Sequence, residues 1–344
     1  MNVAAGVSLR PYNTLGVAVR AQWFARLTAA AQIPSLLARF GGSPILVLGG
    51  GSNLVLTSEV PGLVLHNAIG GLELLAEDGD GVSLRVGAGE NWDQLVARCT
   101  GQGWFGLENL SWIPGSVGAA PIQNIGAYGV ELKDTLLAVH TVGIEDAEPH
   151  RFSAADCRLG YRDSIFKHEQ QDRQIITAVD LRLHKRPHLQ LEYGEIRQTA
   201  ERWGHDLKRL TPSQVRQLII RIRQEKLPDP ALAPNVGSFF KNPVVDAAQY
   251  QCLRQREPEL VAFAQADGRY KLAAGWLIDR LGWKGRRLGQ ARVHPQQALV
   301  LVNEGHGSDD VLRLAQQIQR DVKAAYGVAL EVEPRIIRGS SRLD

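Results

Sequence analysis

The chain has 344 residues, enough for two or three domains with cores of their own. It is 44% hydrophobic and 22% charged, as an ordinary globular protein is. A net charge of +3, with no block of lysine and arginine, excludes a nucleic-acid-binding tail and favours a mildly basic site for a small anion. Three widely spaced cysteines, Cys99, Cys157 and Cys252, make neither a disulfide framework nor a metal-ligand pattern, so no metal is expected and a reducing compartment is. The N-terminus lacks a basic stretch followed by a long apolar core, and no apolar run approaches the ~20 residues that span a bilayer. The expectation is a cytoplasmic protein with no membrane or nucleic-acid partner.

In chain order, residues 29–40 read as helical, with Pro34 near the start. Ile45–Leu48 is a short apolar strand, Gly49-Gly-Gly-Ser-Asn53 a glycine turn, and Leu54–Leu56 a second strand. The turn is not a P-loop, since no Gly-Lys-Ser/Thr follows, and it lacks the spacing of a dinucleotide fold. Taken alone it is as readily a tight turn with no ligand as a phosphate contact. Leu63–His66, Leu72–Leu75 and Val82–Val86 alternate as strands between glycine and aspartate turns. A helix then buries Trp92, Leu95, Val96 and Cys99.

The stretch Ile113–Gly129, IPGSVGAAPIQNIGAYG, is the most informative in the chain. Glycine or proline recurs every few residues, charge is absent, and Gln123, Asn124 and Tyr128 are its larger polar groups. Glycines 115, 118, 126 and 129 allow close backbone approach, and successive turn amides can form an anion nest. The stretch is too apolar for a solvated linker and reads as a buried cradle for a nucleotide cofactor.

Beyond it, Leu136–Val142 and Ile175–Leu183 read as strands around a loop-rich insertion. Thr211-Pro-Ser213 caps a helix over Gln214–Lys226, and Pro228-Asp-Pro230 stops it. Asn235–Asn242 is a loop and strand. Helices near 246–256 and 272–281, a strand Ala298–Val302, an amphipathic helix Ser308–Ala325 and a closing strand about Ala329–Ile337 complete an α+β layout without regular strand–helix alternation.

Several motifs in this order resemble the UDP-N-acetylenolpyruvoylglucosamine reductase family: Tyr12-Asn-Thr-Leu-Gly16, Gly49–Asn53, Gly87–Trp92, Ile113–Gly129, Gly160–Lys167, Lys226–Pro230, Gly237–Pro243 and Lys271–Asp279. The resemblance spans about residues 10 to 338. It implies a vanillyl-alcohol-oxidase-type two-domain FAD fold plus a C-terminal α+β substrate-binding domain. The lobes would be 1–70 (with 327–344 returning to it), 71–207 and 208–326. It implies FAD as cofactor, NADPH as co-substrate, and reduction of an enolpyruvyl ether on a nucleotide sugar, with the protein acting as a monomer.

The residues follow from matching motifs. Gly49, Gly50, Gly51, Ser52, Asn53, Pro114, Gly115, Ser116, Gly118, Gln123, Asn124, Gly126 and Tyr128 match cofactor positions. Arg162 matches the guanidinium that steadies charge developing on the substrate carboxylate; by itself Tyr-Arg-Asp would more simply be an Arg162–Asp163 pair. Ser238 matches the proton donor, whose hydroxyl can serve a strongly basic carbon if held within reach. Glu333 matches the catalytic carboxyl, with Glu331 its rival, because both would face one way on a strand. Tyr193, Arg223, Lys226, Asn242 and Gln297 match substrate contacts. Two departures stand out: Phe263 where a tyrosine closes over the substrate, and Ala119-Ala120 where glycine or serine is usual.

Overall fold

The computed structural model describes residues 2–193 and 195–339. By its internal contacts the chain forms two units, one of residues 1–7, 21–51 and 61–225, the other of 8–20, 52–60 and 226–344.

In the first unit, a four-stranded sheet orders Val3–Ser8, Arg20–Leu27, Val60–Asn67 and Ile45–Leu48, the last two parallel. Its core gathers Leu27, Ile33, Leu36, Leu63 and Leu65 under the short helix Ile33–Phe40. A five-stranded antiparallel sheet follows, ordered Pro149–Ser153, Leu136–Gly143, Gln174–His184, Gly81–Gly87 and Leu72–Glu77. Alternation decides which side is covered: Val82, Leu84 and Val86 are buried with Val179, Leu181 and Leu183, while Arg85 and Asp180 face the other way and pair at 2.8 Å.

The helix Trp92–Gly101 packs on the buried side through Trp92, Leu95, Val96 and Cys99, as its spacing requires. Its start is fixed by Asn91, whose side chain accepts the Gln94 N–H at 3.0 Å. Pro149–Ser153 was hidden in the sequence because its proline and polar residues read as loop. It is an edge strand, where proline costs no interior ladder bond.

The helix Pro212–Lys226 is capped as expected: Thr211 Oγ1 accepts the Gln214 N–H at 3.3 Å and Gln214 Oε1 accepts the Thr211 N–H at 2.9 Å. Val215, Leu218, Ile219 and Ile222 pack with Ile196 and Ala200, so all but its last residue belongs to the first unit. The change of unit falls at Glu225–Lys226. Residues 8–20 and 52–60, expected with the first lobe, cluster instead with the C-terminal residues.

The second unit contains two three-stranded sheets, one of Val244–Val245, Tyr270–Leu272 and Ala262–Ala264, the other of Arg287–Leu288, Ala291–Val293 and Leu301–Asn303. The helix Asp309–Tyr326 buries Val311, Leu314, Ile318 and Val322 against the latter and ends at Gly327, whose φ of 68° is in the left-handed region that glycine adopts at least cost. The closing strand is shorter than expected. Only Arg335–Ile337 is strand, parallel to Leu54–Leu56, because Pro334 has no N–H to continue a ladder.

Candidate active site

In the first unit, two glycine stretches are pressed together. A methyl on Gly50 would lie 2.8 Å from the Gly115 Cα, and one on Gly49 would lie 2.4 Å from the Ser116 Oγ. Gly118 is packed as tightly, 2.6 Å separating such a methyl from the Ala88 Cβ. These glycines permit the protein's own segments to touch, a different use from close approach to a ligand. The N–H groups of Val117, Gly118 and Ala119 donate to the carbonyls of Glu90, Ala88 and Ser116. An anion nest at those three amides is therefore not available, and the Ala119-Ala120 departure falls in the part of the cradle that binds the protein itself.

What remains cradle-like is the backbone. Trp112, Asn124 and Tyr128 adopt φ of 59°, 45° and 50°, and Gly115 and Gly129 adopt 117° and 82°. A side chain in this region costs about 1–2 kcal/mol, so the surroundings must enforce it. Asn124 is fully buried. Its amide nitrogen donates to Glu131 Oε2 at 3.0 Å and Gly160 O at 2.9 Å, and its Oδ1 accepts the Lys133 N–H at 3.0 Å. With these three bonds the Asn124 side chain holds the cradle together. Asn109, also buried, donates to Tyr128 O and Gln190 O, both at 2.8 Å. Burial pushes the Tyr128 phenol up from its ordinary value. No acidic residue lies within 113–129, so the wall is neutral and fits an anionic dinucleotide.

The segment carrying Arg162 is stitched to this wall. Gly160 and Asp163 close a tight turn by exchanging N–H···O bonds of 3.0 and 3.3 Å, leaving Arg162 at the tip with φ 54°. Ser164 Oγ donates to Ile122 O at 2.7 Å, and Arg162 Nη2 donates to Gly126 O at 2.7 Å. The Asp163 carboxylate engages His168 with both oxygens, at 2.8 and 3.0 Å. Arg162 is thus placed against the expected cofactor wall.

Arg223 is half-buried, and its Nε donates to Trp112 O at 3.2 Å. Burial pushes its guanidinium below the usual arginine range, and Arg162 adds to the shift. The N–H of the same Trp112 donates to Asp93 Oδ1 at 2.5 Å, and Asp93 also takes a two-pronged bond from Arg216, at 2.6 and 3.0 Å. Burial alone would raise the Asp93 carboxyl, but Arg216 and the Trp112 amide hold it below its ordinary value. Sequence reasoning missed this group. Arg216 and Arg223 are seven apart, two turns on one helix face, a spacing that could have joined them. Tyr193, partly exposed, lies beside Gly129.

In the second unit, Gly237–Asn242 runs between two segments without forming a full ladder. Ser238 bridges Val300 and Phe240 bridges Val332. The Phe239 N–H donates to Leu299 O at 2.7 Å, and the N–H groups of Glu333 and Lys241 donate to Phe239 O and Glu331 O, each at 2.9 Å. Ser238 and Glu333 are thereby brought onto adjacent segments. The two glutamates are no longer equivalent by strand alternation. Glu331 is 69% exposed and paired with Lys241, whereas Glu333 is partly buried. Asn242 Oδ1 accepts the Ala274 N–H at 2.9 Å, at the start of the helix Ala274–Arg280. Lys226 and Gln297 line a cleft of about 310 Å³ with Gly275, Trp276 and Lys284. Lys284, held by Asp279 at 2.7 Å, was another omission. Phe263 is 40% exposed on the Ala262–Ala264 strand, with the Lys271 ammonium 6.0 Å above its ring.

Residues 23–153 match the family model for an FAD binding domain, and residues 229–337 match the C-terminal domain model of UDP-N-acetylenolpyruvoylglucosamine reductase. The chain is 53% identical, over 97% of its length and 98% of the relative's, to the UDP-N-acetylenolpyruvoylglucosamine reductase of Chromobacterium violaceum. It is 51% identical, over 96% of its length and 97% of the relative's, to that of Pseudomonas aeruginosa. Among solved structures, the UDP-N-acetylenolpyruvylglucosamine reductase of Thermus caldophilus superposes with a TM-score of 0.66 at 28% identity, covering 98% of this chain and 99% of that one. The expected α+β plan, a flavin-binding fold followed by a C-terminal domain, is what these matches describe.

Proposed function

The chain belongs to the UDP-N-acetylenolpyruvoylglucosamine reductase family, and on that premise we propose the parts its residues play. The activity is NADPH-dependent reduction of UDP-N-acetylglucosamine enolpyruvate to UDP-N-acetylmuramic acid, for peptidoglycan synthesis. FAD, when bound, supplies the means to carry a hydride from NADPH to the methylene carbon of the enolpyruvyl ether. The neutral wall at Gly49–Gly51 and Gly115–Tyr128, with its enforced left-handed backbone, fits such a dinucleotide.

In this reading the chain's own groups manage charge and protons. Hydride arriving at the methylene carbon pushes electrons into the substrate carboxylate, where the Arg162 guanidinium accepts the developing charge. The Ser238 hydroxyl gives a proton to the carbon bearing the ether oxygen. Glu333 supports the intermediate, and the exposure of Glu331 and its pairing with Lys241 favour Glu333 over it. Tyr193, Arg223, Lys226, Asn242 and Gln297 hold the nucleotide sugar, an assignment supported by Lys226 and Gln297 lining one cleft. We also place the protein in the cytoplasm. Among the described residues no helix is long and apolar enough to cross a membrane.

One observation carries the residue assignments: within a near full-length family match, the segment bearing Ser238 bonds directly to the segment bearing Glu333. Stopped-flow separation of the two half-reactions tests it. Ser238→Ala should leave flavin reduction by NADPH nearly intact and slow reoxidation by the enolpyruvyl substrate by about 10²–10⁴-fold, the usual value of a positioned proton donor. Equal loss in both halves would sink the assignment.

A further inference from the structure

The motif Tyr12-Asn-Thr-Leu-Gly16 has no part in the chemistry above, yet its bonds converge on the segment that carries Ser238. Thr14 Oγ1 donates to Asn235 O at 2.6 Å, and the Asn235 N–H donates to Thr14 O at 3.0 Å. Asn235 is 2% exposed, and its side chain is fully used. The amide nitrogen donates to Ala233 O at 2.7 Å and Pro228 O at 3.3 Å, while Oδ1 accepts the Gly237 N–H at 2.8 Å. Gly237, with φ 74°, is the residue before Ser238. Alongside, Asn303 fastens the same two segments: its N–H donates to Pro234 O and its side chain to Leu15 O, both at 2.8 Å.

We propose that Thr14 and Asn235 are positioning residues for Ser238: the N-terminal motif grips Asn235, and the Asn235 carboxamide sets the Gly237 peptide and hence the direction of the Ser238 hydroxyl. The proposal rests on the proton-donor reading of Ser238. The physical need is plain. A serine is a weak acid, useful only if its hydroxyl is held at the accepting carbon, and an ångström of misplacement can cost about 10²-fold. On its other side Ser238 lies in an isolated bridge to Val300, and the following Phe239 is bonded to Leu299 O and to the Glu333 N–H; neither contact fixes the Gly237 peptide that precedes the serine. A left-handed glycine just before it would swing freely without the Asn235 acceptor.

The experiment uses FAD-loaded protein in Thr14→Val, Thr14→Ser, Asn235→Ala and Ser238→Ala forms. Thr14→Val is nearly isosteric and removes only the hydroxyl. It should slow flavin reoxidation by the enolpyruvyl substrate about tenfold, with reduction by NADPH changed less than about twofold, and Thr14→Ser should restore the rate. Hydrogen exchange should show lost protection over residues 235–240. Asn235→Ala should have a larger effect of the same kind, and if it does not fold the Thr14 pair still decides. Unchanged reoxidation in Thr14→Val, or equal slowing of both halves, overturns the proposal. If Ser238→Ala itself shows no selective loss, the proton-donor reading fails and takes the proposal with it. If Ser238→Ala is selective and Thr14→Val is not, only the positioning role is lost.

Discussion

The cofactor wall of the first unit and the Ser238 segment of the second solve one problem, holding polar groups in improbable places, by different means. In the wall the backbone itself is the device. Asn124, Tyr128 and Arg162 sit at positive φ, and buried side chains such as Asn109 and Asn124 enforce it with hydrogen bonds to carbonyls and amides. In the Ser238 segment Gly237 alone sits at positive φ, and position comes from two flanking segments, through the Ser238–Val300 and Phe240–Val332 bridges and the backbone bonds of Phe239 and Lys241. The wall should therefore be intolerant of added atoms and the segment intolerant of lost hydrogen bonds. A wall made of packed glycines has no slack, whereas a segment held by a few hydrogen bonds to its neighbours can shift and still fold.

The largest effect is expected where two backbones touch. Gly50→Ala places a methyl 2.8 Å from the Gly115 Cα, and a main chain cannot move aside as a side-chain tip can. The cost should be about 3 kcal/mol or more, with flavin lost on purification. Gly42→Ala is the control: Gly42 has φ 84° but nothing within 4 Å of its added methyl, so only the left-handed cost of about 1 kcal/mol remains. Thermal melts and the flavin-to-protein absorbance ratio of both variants measure the difference. Equal losses would mean that the contact with Gly115 costs no more than a left-handed alanine and that the wall can give way.

A middle-sized effect is expected at Asp93, which clamps Trp112 at the entrance to the wall. Asp93→Asn keeps an acceptor for the Trp112 N–H but gives up the charge opposite Arg216, costing about 2 kcal/mol at neutral pH. The pH dependence has a definite sign. The Asp93 carboxyl is held below its ordinary value of 3.8 in the folded chain, so its contribution is fully present above that value and is lost as pH falls through the lowered one. The gap in melting temperature between the native chain and Asp93→Asn should be constant above about pH 5 and close as pH falls below about 4. A gap that widened in acid would show that the pair does not depend on the charged carboxylate.

These contrasts also explain what could be read from the sequence. Periodicity exposed the helix Trp92–Gly101 and the central strands because burial on one side dictates spacing. The glycines of 49–51 and 113–129 were conspicuous, but their use was not. Glycine marks close approach without saying to what, and Gly118 meets Ala88 through a contact no local pattern encodes. Asn124 was legible as important, but not its bonds to Glu131, Lys133 and Gly160, since a carboxamide serves a ligand or a neighbouring carbonyl equally well. Asp93 and Arg216 were invisible, being 123 positions apart and ordinary on their own helices. The closing strand was overextended because apolar alternation continued through Val328, Leu330 and Val332, while Pro334 decided where pairing could begin.

The smallest effect sharpens the comparison within the Ser238 segment, by separating two glutamates that the sequence could not. Both adjoin the segment, through backbone bonds from Lys241 to Glu331 O and from Glu333 to Phe239 O. Their side chains differ: Glu331 is 69% exposed and its partner Lys241 only 13%. An exposed carboxylate exchanges its ion pair for water at little loss, so Glu331→Gln should cost less than about 1 kcal/mol and leave both half-reactions near the native rates. On the role we propose for Glu333, Glu333→Gln should slow the oxidative half by more than about tenfold, since a group that supports the intermediate acts on the transition state and not on the fold. Measured side by side, the two substitutions form an internal control, as each removes one negative charge from the same short stretch. If Glu331→Gln were instead the slow variant, the Lys241 pair would have to be broken when substrate binds, and the carboxyl assignment would pass to Glu331.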